Sequence, residues 1–177
     1  MKPLDTLSQY REVFTFPIED YYKRVGFDFD KIPFSMLAHE YMEDYQEKSY
    51  ACDLHSDVLD VVNKAKNLGF SQTVLSASKM DYLLKQMETL HVDDLFDSIY
   101  GINDIYAKSK VELAHAFKQT CSLDDEIYFV GDSVHDYEVA KSIGAKCILV
   151  TTGHQNRATL ELSLIHISEP TRPRLIS

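Results

Sequence analysis

The stretch that decides the fold is Phe129-Val130-Gly131-Asp132-Ser133-Val134-His135-Asp136. A short apolar strand, residues 127–131, ends at Gly131, where the backbone can turn sharply. Asp132 therefore lies at the carboxyl end of a strand, which is where open α/β sheets bind ligands. Asp136 follows one helical turn later, so its carboxylate can face the same point as that of Asp132.

Two carboxylates at such a point suit Mg²⁺, which prefers carboxylates, waters and phosphate oxygens as ligands. Asp132 and Asp136 are accordingly the candidate metal ligands. The alternative is purely structural: Asp132 would cap the helix that follows, and Asp136 would be a solvated surface charge. Spacing alone leaves both interpretations open.

Helices and short apolar strands alternate from about Leu54 onward. Strands separated by helices of this length indicate crossover connections and a parallel sheet, so the fold class is α/β. The predicted strands are residues 72–76, 98–100, 127–131 and 147–151, and the predicted helices are residues 56–68, 79–90, 109–120 and 135–143.

The part of the chain before this alternation is predicted to be helical. Residues 7–49 carry aromatic and aliphatic side chains at three- and four-residue spacing, without a strong strand candidate. The glycine and the proline of residues 26–33 break this region into two helical pieces.

The last segment, residues 162–177, does not match what precedes it. It is aperiodic, and Pro170 and Pro173 would break any regular element. It resembles translated sequencing-adapter read-through, so we expect it to be non-native. The alternative is a natural apolar tail strand packed on the edge of the sheet. Neither interpretation gives the segment any chemistry.

Composition excludes several classes of partner. The formal net charge of −10 argues against nucleic acid and against an anionic membrane surface, because either would be repelled. The three cysteines are widely spaced and suit neither zinc nor a disulfide framework. Since the chain has no apolar run of signal-peptide or membrane-spanning length, we expect a cytoplasmic protein.

Two further positions are candidates for holding a phosphate. Ser76 ends a predicted strand, and Ala77 leads into a helix whose N-terminal amides can bind an anion. Lys110 stands at the start of the next helix, where a cation opposes the helix dipole unless an anionic partner is present. The structural alternatives are a helix N-cap and a solvated lysine, and Lys108 is the second choice for the lysine role.

Taken in order, Ser76, Lys110 and the Gly131-Asp132-x-x-x-Asp136 stretch are similar to motifs two, three and four of the haloacid dehalogenase-like hydrolases. Residues 10–160 most resemble phosphoglycolate-phosphatase-type members of that superfamily. The resemblance implies a partial helical cap over residues 1–53 and a Rossmann-like core over residues 54–161.

The resemblance also implies an activity, the hydrolysis of a small phosphorylated metabolite by way of a phosphoaspartate. Ser76 and Ala77 would bind the phosphoryl oxygens, and Lys110 would neutralise their charge. Asp132 would bind Mg²⁺, with Asp136 supporting the metal directly or through water. Positioning and electrostatics of this kind do most of the work in phosphoryl transfer.

One motif of the family is absent from the sequence. The first motif, a strand ending in Asp-x-Asp-Gly-Thr, supplies the nucleophile and should precede the cap. The one Asp-x-Asp in the chain, Asp28-Phe29-Asp30, follows no buried strand and is continued by Lys31-Ile32. We therefore interpret the chain as N-terminally truncated and expect it to be inactive by itself.

Two other functions remain as alternatives. The first is a non-catalytic module that binds phospho-ligands, which would keep the pocket without turnover. The second is a phospho-acceptor receiver domain, but receivers place the acceptor aspartate before the hydroxyl and the lysine, whereas Asp132 comes last here.

The missing strand yields a prediction about folding. In the family it lies in the middle of the sheet, and each unsatisfied buried backbone group costs about 1 to 3 kcal/mol. Such a gap would consume much of a stability of about 5 to 15 kcal/mol. Residues 1–161 alone should aggregate or refold around the gap, as measured by sedimentation and thermal denaturation. A monomer with a sharp two-state melt would contradict this.

Overall fold

The computed structural model describes residues 4–102, 109–165 and 174–176. The helices are α1 Leu7–Val13, α2 Ile18–Arg24, α3 Phe34–Ser49, α4 Val58–Asn67, α5 Met80–Thr89, α6 Lys110–Thr120, α7 Val134–Ser142 and α8 Arg157–Ile165. The strands are β1 Thr73–Lys79, β2 Ser98–Ile102, β3 Tyr128–Gly131, β4 Lys146–Val150 and β5 Arg174–Ile176, and a 3₁₀ turn covers Asp93–Leu95. In this part of the chain, no helix is both long and apolar enough to cross a membrane.

The chain forms two compact units. The first contains residues 1–37 together with residues 121–177, and the second contains residues 38–120. Its five described strands accordingly fall into two parallel sheets, β3-β4-β5 in the first unit and β1-β2 in the second.

The core of the first unit lies between its sheet and α7. Leu149 of β4, Leu160 of α8 and Ala140 of α7 are fully buried in one apolar cluster, against which Phe129 of β3 also packs. The register pairs Phe129 with Cys147 and Gly131 with Leu149, so β3 and β4 end at nearly the same level. This packing fixes the position of the turn that follows β3.

The core of the second unit is built on β1 and β2. Both α5 and α6 pack against these strands, and the buried side chains of Leu83, Met87 and Val92 form its apolar centre. Asp97, which precedes β2, connects the starts of β1 and β2. Its carboxylate accepts hydrogen bonds from Gln72 N at 2.7 Å and Ser71 Oγ at 2.9 Å, just before β1. These bonds to the charged form lower the pKa of the Asp97 carboxyl.

The predicted α/β class and parallel strands are confirmed, while some boundaries differ. The helical N-terminal region has three pieces before residue 50 rather than two, because the chain is also interrupted between Val13 and Ile18. Strand β1 continues through Lys79, so Ser76 lies within it and not at its end. Regular pairing of β1 with β2 nevertheless stops at Leu75, and the register shifts before Lys79.

The end of the chain is partly described. Helix α8 runs to Ile165, and β5 pairs in parallel with β4 at the edge of the sheet. This is the geometry of the alternative interpretation, a tail strand, although Pro170 and Pro173 lie outside the described residues. The read-through origin of residues 162–177 stays a prediction, as do the domain boundaries at residues 53 and 161.

Candidate active site

The turn after β3 presents the side chain of Asp132. Oδ2 of this half-buried carboxylate accepts a hydrogen bond of 2.6 Å from the backbone N–H of His154. For Oδ1, the described residues provide no hydrogen-bond donor. One oxygen of Asp132 is thus fixed by the backbone, and the other remains available to a ligand.

Asp136 lies beneath this turn and holds it. Its Oδ2 accepts hydrogen bonds from Asp132 N at 3.1 Å, Ser133 N at 3.1 Å and Ser133 Oγ at 2.7 Å. The side chain of Ser133 in turn accepts from Asp136 N, which completes a capping box at the start of α7. Only 3% of the surface of Asp136 is exposed, so these donors compensate for the burial of its charge.

This geometry corrects both parts of the structural alternative. The N-cap of α7 is Ser133 and not Asp132, and Asp136 is buried and not a solvated surface charge. The expectation that both carboxylates face one point is refined, because Oδ2 of Asp136 points to the amides of the turn. Its role as a metal ligand stays a prediction.

Two glycines make room for the two carboxylates. A Cβ on Gly131 would overlap the side chain of Asp136, and a Cβ on Gly153 would overlap the side chain of Asp132. The sequence predicted Gly131 from the turn, but close approach to Asp136 is a second reason for a glycine there. Gly153 was not among the predicted site residues.

The loop that carries Gly153 and His154 follows β4 and is held from both sides. Buried Gln155 accepts a hydrogen bond of 2.8 Å from Val134 N with its side-chain oxygen, which attaches the loop to the start of α7. Arg11 of α1 donates to the carbonyl groups of Thr152 and Gly153 at 2.5 and 2.8 Å. Sequence reasoning missed these residues, although a Gly-His pair that begins two residues after a predicted strand was a visible signal.

The phosphate-binding candidates belong to the second unit. Ser76 and Ala77 lie where β1 leaves its regular register, and Ser76 Oγ accepts a hydrogen bond of 3.1 Å from Ser78 N. Lys110 is the first residue of α6, as predicted, and α6 packs against β1. Lys108 lies outside the described residues. Asp132 and Asp136 form one cluster within the first unit, and the convergence of all five predicted residues stays a prediction.

The described side chains can be compared with the ligands that a metal ion requires. No group of three His, Cys, Asp or Glu side chains suited to a metal occurs within the described ranges. Mg²⁺ usually keeps several waters and binds one or two carboxylates together with substrate phosphate oxygens. The available oxygen of Asp132 fits such an ion as one ligand of a larger set.

The neighbourhood of Asp136 also affects Cys147 on β4. Burial raises the pKa of the Cys147 thiol, and the negative charge of Asp136 raises it further, to about 12. A thiol with this pKa contains almost no thiolate at neutral pH, and the thiolate is the reactive form.

Cys147 should therefore resist alkylation by iodoacetamide at pH 8 in the native protein, while exposed Cys52 reacts under the same conditions. Mass spectrometry of the labelled peptides measures both cysteines in one sample. Equal labelling of Cys147 and Cys52 before unfolding would contradict the burial of Cys147 in the core of the first unit.

Comparison with known proteins identifies the family. The sequence model of the haloacid dehalogenase-like hydrolases matches residues 3–150. A search of curated proteins found no significant match.

Solved structures share the fold at low identity. A haloacid dehalogenase-like family hydrolase from Streptococcus pneumoniae has a TM-score of 0.78 and 20% identity, over 98% of this chain and 77% of that one. A predicted phosphatase from Clostridium acetobutylicum has a TM-score of 0.73 and 18% identity, over 98% and 79%. Protein Tyrosine Kinase A from Mycobacterium tuberculosis has a TM-score of 0.75 and 16% identity, over 99% and 79%.

The family model covers well over half of the sequence, and these structures have the same architecture. The chain therefore belongs to the haloacid dehalogenase-like hydrolases.

Proposed function

We propose that this chain is part of a Mg²⁺-dependent phosphomonoester hydrolase that resembles phosphoglycolate phosphatases. The full-length parent would form and hydrolyse a phosphoaspartate, and the chain alone would be inactive. Membership of the hydrolase family supports the reaction class. Two structural neighbours are described by name as a hydrolase and a predicted phosphatase, which points in the same direction.

The presentation of Asp132 is the observation that carries this proposal. Its Oδ2 is bound to His154 N at 2.6 Å, and within the described part of the chain its Oδ1 makes no hydrogen bond. A carboxylate oxygen held in this way at the carboxyl end of a parallel strand suits a cation that also binds phosphate. Bound Mg²⁺ would supply positive charge to the phosphoryl oxygens.

Ser76, Ala77 and Lys110 would act on the same phosphoryl group. The hydroxyl of Ser76 and the backbone N–H of Ala77 would donate hydrogen bonds to its oxygens, and the ammonium group of Lys110 would neutralise their charge. Donors and cations fixed in advance stabilise the charge that develops during transfer. Asp136 would contribute by holding the Asp132 turn, in addition to any contact with the metal.

The nucleophile would lie on a segment that precedes Met1. Asp28 and Asp30 are exposed after α2, where Asp28 accepts a hydrogen bond from Asp30 N at 3.1 Å and forms an ion pair with Lys31 at 2.9 Å. These contacts are typical of a surface turn and not of a strand-end nucleophile.

The strand pairing supports a segment of this kind. Among the described strands, β3 pairs with β4 alone, and 62% of Val130 on β3 is exposed. An added strand would give β3 a second hydrogen-bonded neighbour.

The substrate would be a small phosphorylated metabolite, and the family resemblance implies 2-phosphoglycolate. The net charge of −10 disfavours nucleic-acid and anionic-membrane partners, and the proposed location is the cytoplasm. One neighbour in the same fold is described as a protein tyrosine kinase, so the decisive test must measure the release of inorganic phosphate.

Phosphate release should be measured for the chain and for the chain extended by its upstream coding sequence. The extended protein should hydrolyse phosphomonoesters in the presence of Mg²⁺, and hydrolysis should stop when the metal is chelated. The chain alone should show no turnover. In the extended protein, Lys110→Ala and Asp132→Asn should each reduce kcat by about 10² to 10³-fold, because each removes charge stabilisation.

Matched controls separate this effect from a change in net charge. Lys118→Ala on the same helix and Asp124→Asn on an exposed loop carry the same charge changes and should alter kcat by less than about twofold. If Asp132→Asn leaves the rate unchanged, the proposal is wrong. Phosphate binding that weakens in Lys110→Ala, without turnover in the extended protein, would identify a non-catalytic binding module instead.

A further inference from the structure

The peptide unit between Gly153 and His154 is hydrogen-bonded at both its carbonyl oxygen and its N–H. Its carbonyl oxygen accepts a hydrogen bond of 2.8 Å from Arg11 Nε, and its N–H donates one of 2.6 Å to Asp132 Oδ2. Because a peptide unit is planar and rigid, fixing the carbonyl group also fixes the direction of the N–H. Arg11 and Asp132 are thereby connected through one peptide unit.

We propose that Arg11 is a positioning residue for Asp132 and acts through this peptide unit. Its guanidinium group also donates to Thr152 O at 2.5 Å, so two successive carbonyl groups of the loop are bound by one planar group. Two donors in a fixed fork restrain both the position and the rotation of the loop, which a single ammonium group cannot do.

The charge of Arg11 also reaches Asp132 through the peptide dipole. A cation on the carbonyl oxygen polarises the peptide unit and makes its N–H a stronger donor, since hydrogen bonds in a chain reinforce one another. The acceptor at the other end is a carboxylate, and hydrogen bonds with an ionised partner are stronger than neutral ones. Arg11 therefore strengthens the bond that selects the orientation of Asp132.

The ring of His154 fastens the same loop to α1. The ring stacks on Phe14, with centroids 4.7 Å apart and an interplanar angle of 18°. Its Nδ1 lies 2.7 Å from the hydroxyl of Tyr10, one turn earlier on the helix. Tyr10, Arg11 and Phe14 are called the α1 clamp below. Tyr10 and Arg11 lie on α1 and Phe14 is its C-cap residue, so one short segment carries all three side chains.

Gly153 allows the loop backbone to lie close enough to Asp132 for the α1 clamp to act on it. A Cβ at this position would overlap the Asp132 carboxylate, so only a glycine allows the backbone to approach it. The clamp then uses backbone atoms of the loop, and no side chain of the loop intervenes between Arg11 and Asp132. Resting on the proposed function, this arrangement sets which oxygen of Asp132 is left for the cation.

Hydrogen exchange by mass spectrometry on the upstream-extended protein, at low micromolar concentration, tests the clamp directly. In Arg11→Ala, overlapping peptides should show that the protection of the His154 amide falls by about tenfold or more, the loss expected for hydrogen bonds to a charged group. The amides of β4 should stay protected. Arg11→Lys should give an intermediate value, because one ammonium group can still bind one carbonyl.

Arg24→Ala is the matched control, since it removes the same charge from an exposed position at the end of α2. It should leave the His154 amide at its wild-type protection. The proposal is overturned if Arg11→Ala keeps the protection of the His154 amide within twofold of wild type while the amides of β4 stay protected. If Arg11→Ala also loses the protection of β4, the His154 amide is compared between Arg11→Lys and wild type instead. Protection within twofold of wild type in Arg11→Lys would then overturn the proposal.

A second measurement separates the clamp from the proposed function. Mn²⁺ binding is followed by electron paramagnetic resonance, and the binding lost in Asp132→Asn defines the Asp132 site. Arg11→Ala should weaken this site by about threefold or more relative to Arg24→Ala, given typical coupling between contacting groups. If the upstream-extended wild-type protein shows no Mn²⁺ binding that depends on Asp132, the proposed function is contradicted, while the exchange data still decide the clamp.

Discussion

A buried negative charge determines the geometry of the Asp132 turn. The carboxylate of Asp136 has lost nearly all contact with solvent, and an uncompensated charge in that position would be very costly. Three donors from Asp132 and Ser133 compensate it, and all three belong to the turn itself. The turn can adopt only the conformation that keeps these donors on Asp136, so the direction of Asp132 follows from the need to satisfy its buried neighbour.

The apolar core and the glycines make this arrangement precise. Asp136 stands on α7, which is pressed against β3 and β4 by the cluster around Leu149 and Leu160. Gly131 permits the close approach of Asp136, and Gly153 permits the close approach of the opposite loop to Asp132. The backbone of the Gly153 loop therefore lies against the Asp132 carboxylate, whose Oδ1 has no hydrogen-bond partner among the described residues. Local packing thus fixes the orientation of the Asp132 carboxylate, the proposed metal ligand.

The sequence predicted the elements well because their signals are local. Apolar runs, glycine stops and helical spacing were sufficient for β1 to β4 and for α4 to α7. The same signals placed Asp132 at the end of β3 and Lys110 at the start of α6. Ser76 was expected to end its strand, but β1 continues to Lys79, because pairing with β2 resumes after a register shift that no local pattern announces.

The contacts that shape the site were harder to predict because they join distant parts of the chain. Arg11 and Gly153 are separated by 142 residues, and Tyr10 and His154 by 144. Without coordinates, Arg11 is only one more basic residue in the last turn of a helix. Asp136 could not be interpreted from spacing either, because the same spacing allows a ligand, a surface charge or the buried partner of a capping box.

Lys110 and Asp132 are proposed to act on one phosphoryl group. A double-mutant cycle on the affinity for inorganic phosphate with Mg²⁺ measures whether they do, using Lys110→Ala, Asp132→Asn and the double variant in the upstream-extended protein. We expect a coupling energy above about 0.5 kcal/mol, as found for groups that share a partner. Effects that add within about 0.3 kcal/mol, as for distant independent sites, would contradict it.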